Sequence, residues 1–130
     1  MTEPMGPRRE ERRSSGVLRV PFVRRCSVDF GEAPALSAFV VNINILGAYV
    51  ASNTEAKPGQ PVTCRFRVPG NELDVSASGI VAWLNPIQRH PVHSLPPGFG
   101  IRFVDLSEPA KKVIEGIVRD YVTLHTRRRS

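Results

Sequence analysis

Apolar and polar residues alternate along several short segments of the chain, and each segment ends at turn-forming residues. The alternation is clearest in residues 62–68 and 73–84. A period of two is typical of a half-buried antiparallel strand. The proline, glycine and asparagine at 69–71 favour a hairpin turn between these two segments. The same pattern predicts six strands in all, at residues 20–30, 37–43, 48–52, 62–68, 73–84 and 99–104.

The fifth predicted strand is long enough that it has to curve. We expect a bulge at Gly79, because glycine tolerates the backbone of a bulged strand. Trp83 continues the apolar set of this strand, so we expect it to pack in the core or at its rim.

The hydrophobic period changes near the C-terminus. Ser107, Glu108 and Pro109 supply a cap, a first-turn acid and a proline where no donor is needed. Apolar residues then recur at the spacing of an amphipathic helix, predicted over about 107–125, at Val113, Ile114, Ile117, Val118, Tyr121 and Leu124. Six strands and one C-terminal helix predict an all-β fold, a small antiparallel barrel or sandwich that the helix covers.

Charge divides the chain into three parts. Residues 1–16 show no apolar periodicity and are predicted to be a flexible arginine-rich arm, residues 17–126 the folded domain, and residues 127–130 a basic tail. The net charge is +6, and the basic residues in excess lie at the two ends. Arginine pairs with phosphate oxygens and with guanine edges through its planar fork. The tail is equally consistent with a merely solvated end.

Composition excludes several classes of protein. The 41% hydrophobic and 23% charged residues fit one globular domain, with Cys26 and Cys64 as reduced core residues. No apolar stretch is long enough to span a membrane and the N-terminus lacks the apolar region of a signal peptide, so we expect a cytoplasmic protein.

His90 and His93 have no second pair of ligands, so no metal site is expected. No nucleophile, phosphate-loop or dinucleotide motif occurs, which argues against an enzyme.

Several motifs occur in the order typical of one bacterial family. These are the arginine-rich residues 8–19, the sequence NINILG at 42–47, a proline-glycine turn at 58–59, VAW at 81–83 and GFGIRF at 98–103. Together they resemble the PilZ domain, whose pattern is an RxxxR arm, a (D/N)xSxxG motif and a late GxGhRF strand before a helix, where h is apolar. The resemblance implies a six-stranded antiparallel β-barrel that binds cyclic di-GMP.

The resemblance also implies a ligand site. Arginines suit the phosphates and guanines of cyclic di-GMP, an asparagine amide pairs with a guanine edge, and a glycine permits close backbone approach. The residues that match these roles are Arg12, Arg13, Arg19, Asn42, Asn44 and Gly47.

Two positions depart from the family pattern. Asn44 stands where the family has serine, so an amide replaces a compact hydroxyl. Arg19 directly precedes the first strand, but Ser15 lies four residues before it, and the literal RxxxR pairs begin earlier, at Arg8 and Arg9. An alternative role for both Asn42 and Asn44 is local: their side chains would hydrogen-bond the backbone of the turn before Gly47.

Three functions are compatible with this sequence. The first is a single-domain cyclic di-GMP receptor that passes the signal to a protein partner, in motility or a related surface process, as the resemblance implies. The alternative is a degenerate PilZ-like interaction module that binds no nucleotide. Nucleic-acid binding ranks third, because the predicted strands lack a basic and aromatic face.

Overall fold

The computed structural model describes residues 18–32, 34–68, 70, 73–85 and 95–129, with side chains to residue 126. Within these residues, six strands and one helix follow one another along the chain. They are β1 (Val20–Asp29), β2 (Leu36–Ile43), β3 (Gly47–Ala51), β4 (Pro61–Val68), β5 (Leu73–Asn85), β6 (Gly98–Phe103) and α1 (Glu108–Arg129). The predicted strands agree with these bounds to within one residue at each end.

The strands close into a barrel in the order β1-β2-β3-β6-β5-β4, with β4 returning to β1. Every neighbouring pair is antiparallel. The predicted fold class, a six-stranded antiparallel β-barrel with one C-terminal helix, is therefore confirmed.

The inner residues of the strands form one hydrophobic core. Its most completely buried members come from all parts of the barrel: Val40, Ile43, Val50, Cys64, Val81, Phe99 and Ile101. Both cysteines lie in this core, as predicted. A hydrogen bond with the Cys26 thiol, together with burial, raises the pKa of the Cys64 thiol far above its usual range, so Cys64 stays protonated at neutral pH.

Helix α1 docks through the face that its periodicity predicts. The Ser107 hydroxyl caps the helix by accepting a hydrogen bond from the Ala110 amide at 3.2 Å. Ile114 and Val118 are buried against the barrel, with 0% and 2% of their surfaces exposed. Leu124, the last member of the predicted set, is 50% exposed instead, so the docked face ends before the helix does.

The helix also continues to Arg129, beyond the predicted end near residue 125. The arginines at 127–129, which we expected in a tail, therefore lie on its last turn. A basic last turn suits the negative end of the helix dipole and extends the helix past its docked part.

The predicted bulge at Gly79 is wrong. Gly79 pairs regularly with Val62 on one side and Phe103 on the other. Its missing side chain serves close strand approach, since a Cβ there would collide with the carbonyl of Arg102. The shift in register lies further on, between Val81 and Trp83.

That shift decides where Trp83 lies. Val81 points into the core, and one extra residue then opposes β6, so that Trp83 pairs with Gly100. The neighbours of Gly100 on β6, Phe99 and Ile101, both point inward, so Gly100 and Trp83 face outward. Trp83 is therefore on the outer surface of the barrel and 38% exposed, contrary to the expectation of core or rim packing.

Docking of α1 predicts a contrast between two substitutions. Ile114→Ala should lower the free energy of unfolding by about 2–5 kcal/mol, because it empties a fully buried position. Leu124→Ala on the exposed part of the same helix should change it by less than about 0.5 kcal/mol. Urea unfolding of both variants measures the difference, and equal losses would mean that the helix is not docked through Ile114.

Candidate functional site

Four residues on neighbouring strands lie in one row across the outer face of the barrel. Asn42 on β2 pairs with Tyr49 on β3, Tyr49 pairs with Gly100 on β6, and Gly100 pairs with Trp83 on β5. We call this set the outer row. The inner neighbours of Asn42 and Tyr49, Ile43 and Ala48, belong to the core, which fixes the outward direction of the row.

The aromatic half of the outer row is closely packed. The rings of Tyr49 and Trp83 stack with centroids 5.2 Å apart and planes inclined by 28°. The indole of Trp83 covers Gly100, where a Cβ would collide with the ring nitrogen. Only glycine at position 100 leaves room for this arrangement.

Tyr49 holds the stacked pair of rings in place through hydrogen bonds of its hydroxyl. Its side chain is completely buried, and this burial raises the pKa of its hydroxyl. The hydroxyl donates a hydrogen bond to the Pro96 carbonyl and accepts one from Asn85 Nδ2 at 3.2 Å. Because the hydroxyl both donates and accepts a hydrogen bond, the Tyr49 side chain is held in one position. Trp83, which stacks on it, therefore presents a fixed aromatic surface to solvent.

Asn42 ends the outer row with an unsatisfied polar atom. Its side-chain oxygen Oδ1 is buried and has no hydrogen-bond partner among the described residues. The residue opposite it on β1 is Pro21, which has no backbone N–H to donate. A buried acceptor without a donor costs about 1–3 kcal/mol, and a ligand that supplies a donor recovers this energy. Asn42 Oδ1 is thus an unsatisfied acceptor with respect to the described residues.

Arg19 lies close in sequence to Pro21, the residue that pairs with Asn42. It directly precedes β1, two residues before Pro21. Its side chain is exposed overall, but partial burial of the guanidinium lowers its pKa. An arginine remains charged at neutral pH even so. Of the three arginines predicted to bind ligand, Arg12 and Arg13 lie outside the described residues, as do His90 and His93.

Asn44 and Gly47 build the turn between β2 and β3. Asn44 Oδ1 accepts hydrogen bonds from the amides of Leu46 and Gly47, at 2.8 and 3.0 Å. Asn44 is only 4% exposed, and its main-chain N–H donates a hydrogen bond to the Gly47 carbonyl at 2.9 Å. Gly47 passes so close to β6 that a Cβ would collide with the carbonyl of Ile101. The alternative that Asn44 acts as a turn residue therefore has direct structural support.

The same alternative does not hold for Asn42. It lies within β2, and its Oδ1 makes no turn hydrogen bond to the described backbone. The two asparagines of the NINILG motif thus differ: Asn44 Oδ1 accepts two hydrogen bonds in the turn, whereas Asn42 Oδ1 is buried and has no partner among the described residues.

The sequence did not identify Tyr49 and Trp83 as parts of a candidate site. Tyr49 lies in a strand of mostly buried residues, and Trp83 follows the inward set of β5 up to the register shift. The available signal is the pair of glycines at 98 and 100, which leaves the first part of one face of β6 without side chains.

Within the part of the chain that the structure describes, no group of His, Cys, Asp or Glu is arranged to hold a metal ion. None of the described helices has both the length and the apolar character needed to cross a membrane.

The comparisons with known proteins agree with this architecture. The family model "PilZ domain" matches residues 7–120. No curated protein sequence matches the chain significantly. Among solved structures, the Bacillus subtilis inhibitor of motility MotI/DgrA is similar with a TM-score of 0.65 and 14% sequence identity, over 85% of this chain and 51% of that chain. The chain thus spans about half the length of MotI/DgrA, and at this identity the likeness concerns the fold.

The hydrogen bonds of Asn44 predict its contribution to stability. Asn44→Ala should lower the free energy of unfolding by about 1–3 kcal/mol, because it leaves the amides of Leu46 and Gly47 without their acceptor. The exposed Asn53 provides the control, since Asn53→Ala should change the value by less than about 0.5 kcal/mol. Urea unfolding of both variants is the measurement; an Asn44→Ala protein as stable as the control would exclude this role in the turn.

Proposed function

Because the chain belongs to the PilZ domain family, we propose that it is a cyclic di-GMP receptor and adaptor that holds the nucleotide on the outer row and passes the signal to a protein partner. This is a binding function without catalysis. We propose a cytoplasmic location for it.

The observation that carries the proposal is the buried Oδ1 of Asn42, which has no hydrogen-bond partner among the residues that the structure describes. A guanine base supplies the missing donor through its amino group, and the Asn42 Nδ2 group can donate to an acceptor on the same base edge. A ligand of this kind removes the cost of the unsatisfied atom only when it is bound. Asn42 therefore favours a base with adjacent donor and acceptor groups.

Arginines supply the charge that a cyclic dinucleotide requires. Arg19 directly precedes β1, two residues before the Pro21 that pairs with Asn42, and we propose that its guanidinium pairs with a phosphate or with the acceptor edge of the second guanine. We propose that Arg12 and Arg13 join it from the N-terminal segment. In this arrangement the two phosphates are neutralised at one end of the outer row.

The aromatic half of the row offers a surface for stacking. Trp83 is held against Tyr49 and is 38% exposed, so a second base of the ligand finds a flat apolar face on the same row, beyond the base that pairs with Asn42. We propose that Asn44 and Gly47 contribute at the turn that sets the position of Asn42 at the end of β2.

An adaptor needs a partner for its output. The similar structure, MotI/DgrA, is that of an inhibitor of motility. Control of motility or of a related surface process is accordingly the role that we propose for this chain.

One observation favours the second candidate, an interaction module that binds no nucleotide. Asn44 replaces the serine of the family motif, and its oxygen is already used by two amides of the turn. A hydroxyl that contacts ligand in relatives would then have no counterpart here. Direct titration of the protein with cyclic di-GMP distinguishes the two candidates, since only the receptor binds.

Two substitutions test the proposed contacts. Asn42→Ala and Arg19→Ala should each weaken cyclic di-GMP binding by about 1–3 kcal/mol, or roughly 5- to 150-fold, through loss of a hydrogen bond to the base and of a charge-assisted pair. Isothermal titration calorimetry at physiological salt measures the affinities, after the fold of each variant has been checked by circular dichroism.

The controls are Asn53→Ala and Arg119→Ala, which remove the same chemical groups from exposed positions away from the outer row. They should bind like the unaltered protein. Equal losses in Arg19→Ala and Arg119→Ala, with no loss in either asparagine variant, would indicate diffuse attraction by positive charge. An unaltered protein that binds no nucleotide would favour the interaction module.

A further inference from the structure

The wall of the barrel is split between β1 and β4. β1 pairs with β2 from Val20 to Val28, but it pairs with β4 only from Cys26 to Asp29. Residues 20–25 of β1 therefore have an edge that faces β4 without a strand partner among the described residues. Main-chain donors and acceptors along such an edge can pair with an added extended segment.

The interior is closed beneath this split. The rings of Phe22 and Phe66 meet edge to face, with centroids 5.6 Å apart. The split is consequently a surface groove, not an entrance to the core.

Positive charge dominates the groove. It has a volume of about 610 Å³, and the described residues of its walls include four arginines, Arg24, Arg25, Arg65 and Arg67, and one carboxylate, that of Asp74. In the described part of the chain, Arg24 and Arg25 form no ion pair with a carboxylate. The electrostatic potential of this groove favours an anionic occupant.

The arginines follow the period of a strand. Arg65 and Arg67 point outward from alternate positions of β4, about 6.6–6.8 Å apart along the strand. Across the split, Arg25 lies over the ring of Phe39 at 5.3 Å, which restrains its guanidinium on the outer face. Side chains at alternate positions of an extended peptide have the same spacing.

The present partners of these arginines are held weakly. Asp29 lies 3.9 Å from Arg65, and Asp74 lies 3.1 Å from Arg67, with all four side chains substantially exposed. Exposed ion pairs contribute little to stability, so an incoming carboxylate can replace the resident one at small cost.

From these observations we propose that the groove between β1 and β4 binds an extended acidic segment of a partner protein. Carboxylates at alternate positions of the segment pair with Arg65 and Arg67, and its main chain lies along the free edge of residues 20–25. A nucleic acid would use the charge but not the strand edge, and therefore fits the groove less completely. The inference rests on the adaptor role proposed above but not on nucleotide binding, because the outer row lies on the other side of β1.

A designed peptide tests this proposal on the full chain. The probe is a short fluorescent peptide of alternating glutamate and threonine, and its binding is followed by fluorescence anisotropy. A peptide of the same composition with all glutamates consecutive controls for charge alone. A third peptide, N-methylated at alternate residues, lacks the main-chain donors needed for strand pairing.

We expect the alternating peptide to bind most tightly and N-methylation to weaken it about tenfold or more. The double variant R65Q/R67Q should lose binding by about tenfold or more, because two charge-assisted contacts disappear. Arg119→Gln, an exposed arginine on α1, should leave the affinity unchanged.

Three results would overturn the proposal: equal binding of the consecutive peptide, tighter binding of an oligothymidylate, or no binding of any peptide. Asn42→Ala separates this proposal from the receptor function. It should weaken nucleotide binding by roughly 5- to 150-fold and leave peptide binding intact. R65Q/R67Q should weaken peptide binding and leave nucleotide binding intact. A failure of one function then leaves the other measurable.

Discussion

The packing of Trp83 over Gly100 is the contact on which the outer face of the barrel depends. A side chain at position 100 would occupy the space of the indole, and the stack with Tyr49 would be lost. The Tyr49 hydroxyl in turn hydrogen-bonds Asn85 and the Pro96 carbonyl, which connects β3, β5 and the segment before β6. With these rings fixed, Asn42 lies on the same row as a flat aromatic surface, and the row acquires both a polar and an apolar recognition element.

Most of the fold follows from local pattern. Alternation in β4 and the first part of β5 predicts their faces correctly, because each inward residue packs on the same core. The change to a helical period predicts the docked face of α1 for the same reason, and it fails at Leu124 because the helix outlasts the barrel beneath it. Periodicity identifies faces only as far as a common core lies beneath them.

The register of β5 could not be predicted in this way. A one-residue shift reverses every later side chain, and it arises from pairing with β6, a strand distant in sequence. Periodicity alone therefore places Trp83 in the core or at its rim, and it does not identify the aromatic half of the candidate site. The need for glycine at positions 47 and 79 also arises from pairing with β6. A Cβ at either position would collide with a main-chain carbonyl of that strand. The asparagines of the NINILG motif look alike in sequence and differ only in which backbone amides reach them.

Strand β1 separates the two surfaces proposed for this protein. One side of it faces Asn42 and the nucleotide site, and the other side forms the free edge of the basic groove. Its irregular pairing with β2 between Pro21 and Arg24 lies between them. A ligand that changes the pairing of Pro21 with Asn42 would act on the same strand that presents Arg24 and Arg25 to a partner. This shared strand is a physical connection through which nucleotide binding could alter partner affinity.

The central claim is that Asn42 and Trp83 face one ligand on the outer row. The most direct measurement is a nuclear magnetic resonance titration of the ¹⁵N-labelled protein with cyclic di-GMP, following the Asn42 side-chain amide and the indole N–H of the single tryptophan. Both signals should shift together and saturate at the same nucleotide concentration, while the side-chain amide of exposed Asn53 stays in place. Saturable binding that leaves both the Asn42 and the Trp83 signals unmoved would contradict the account.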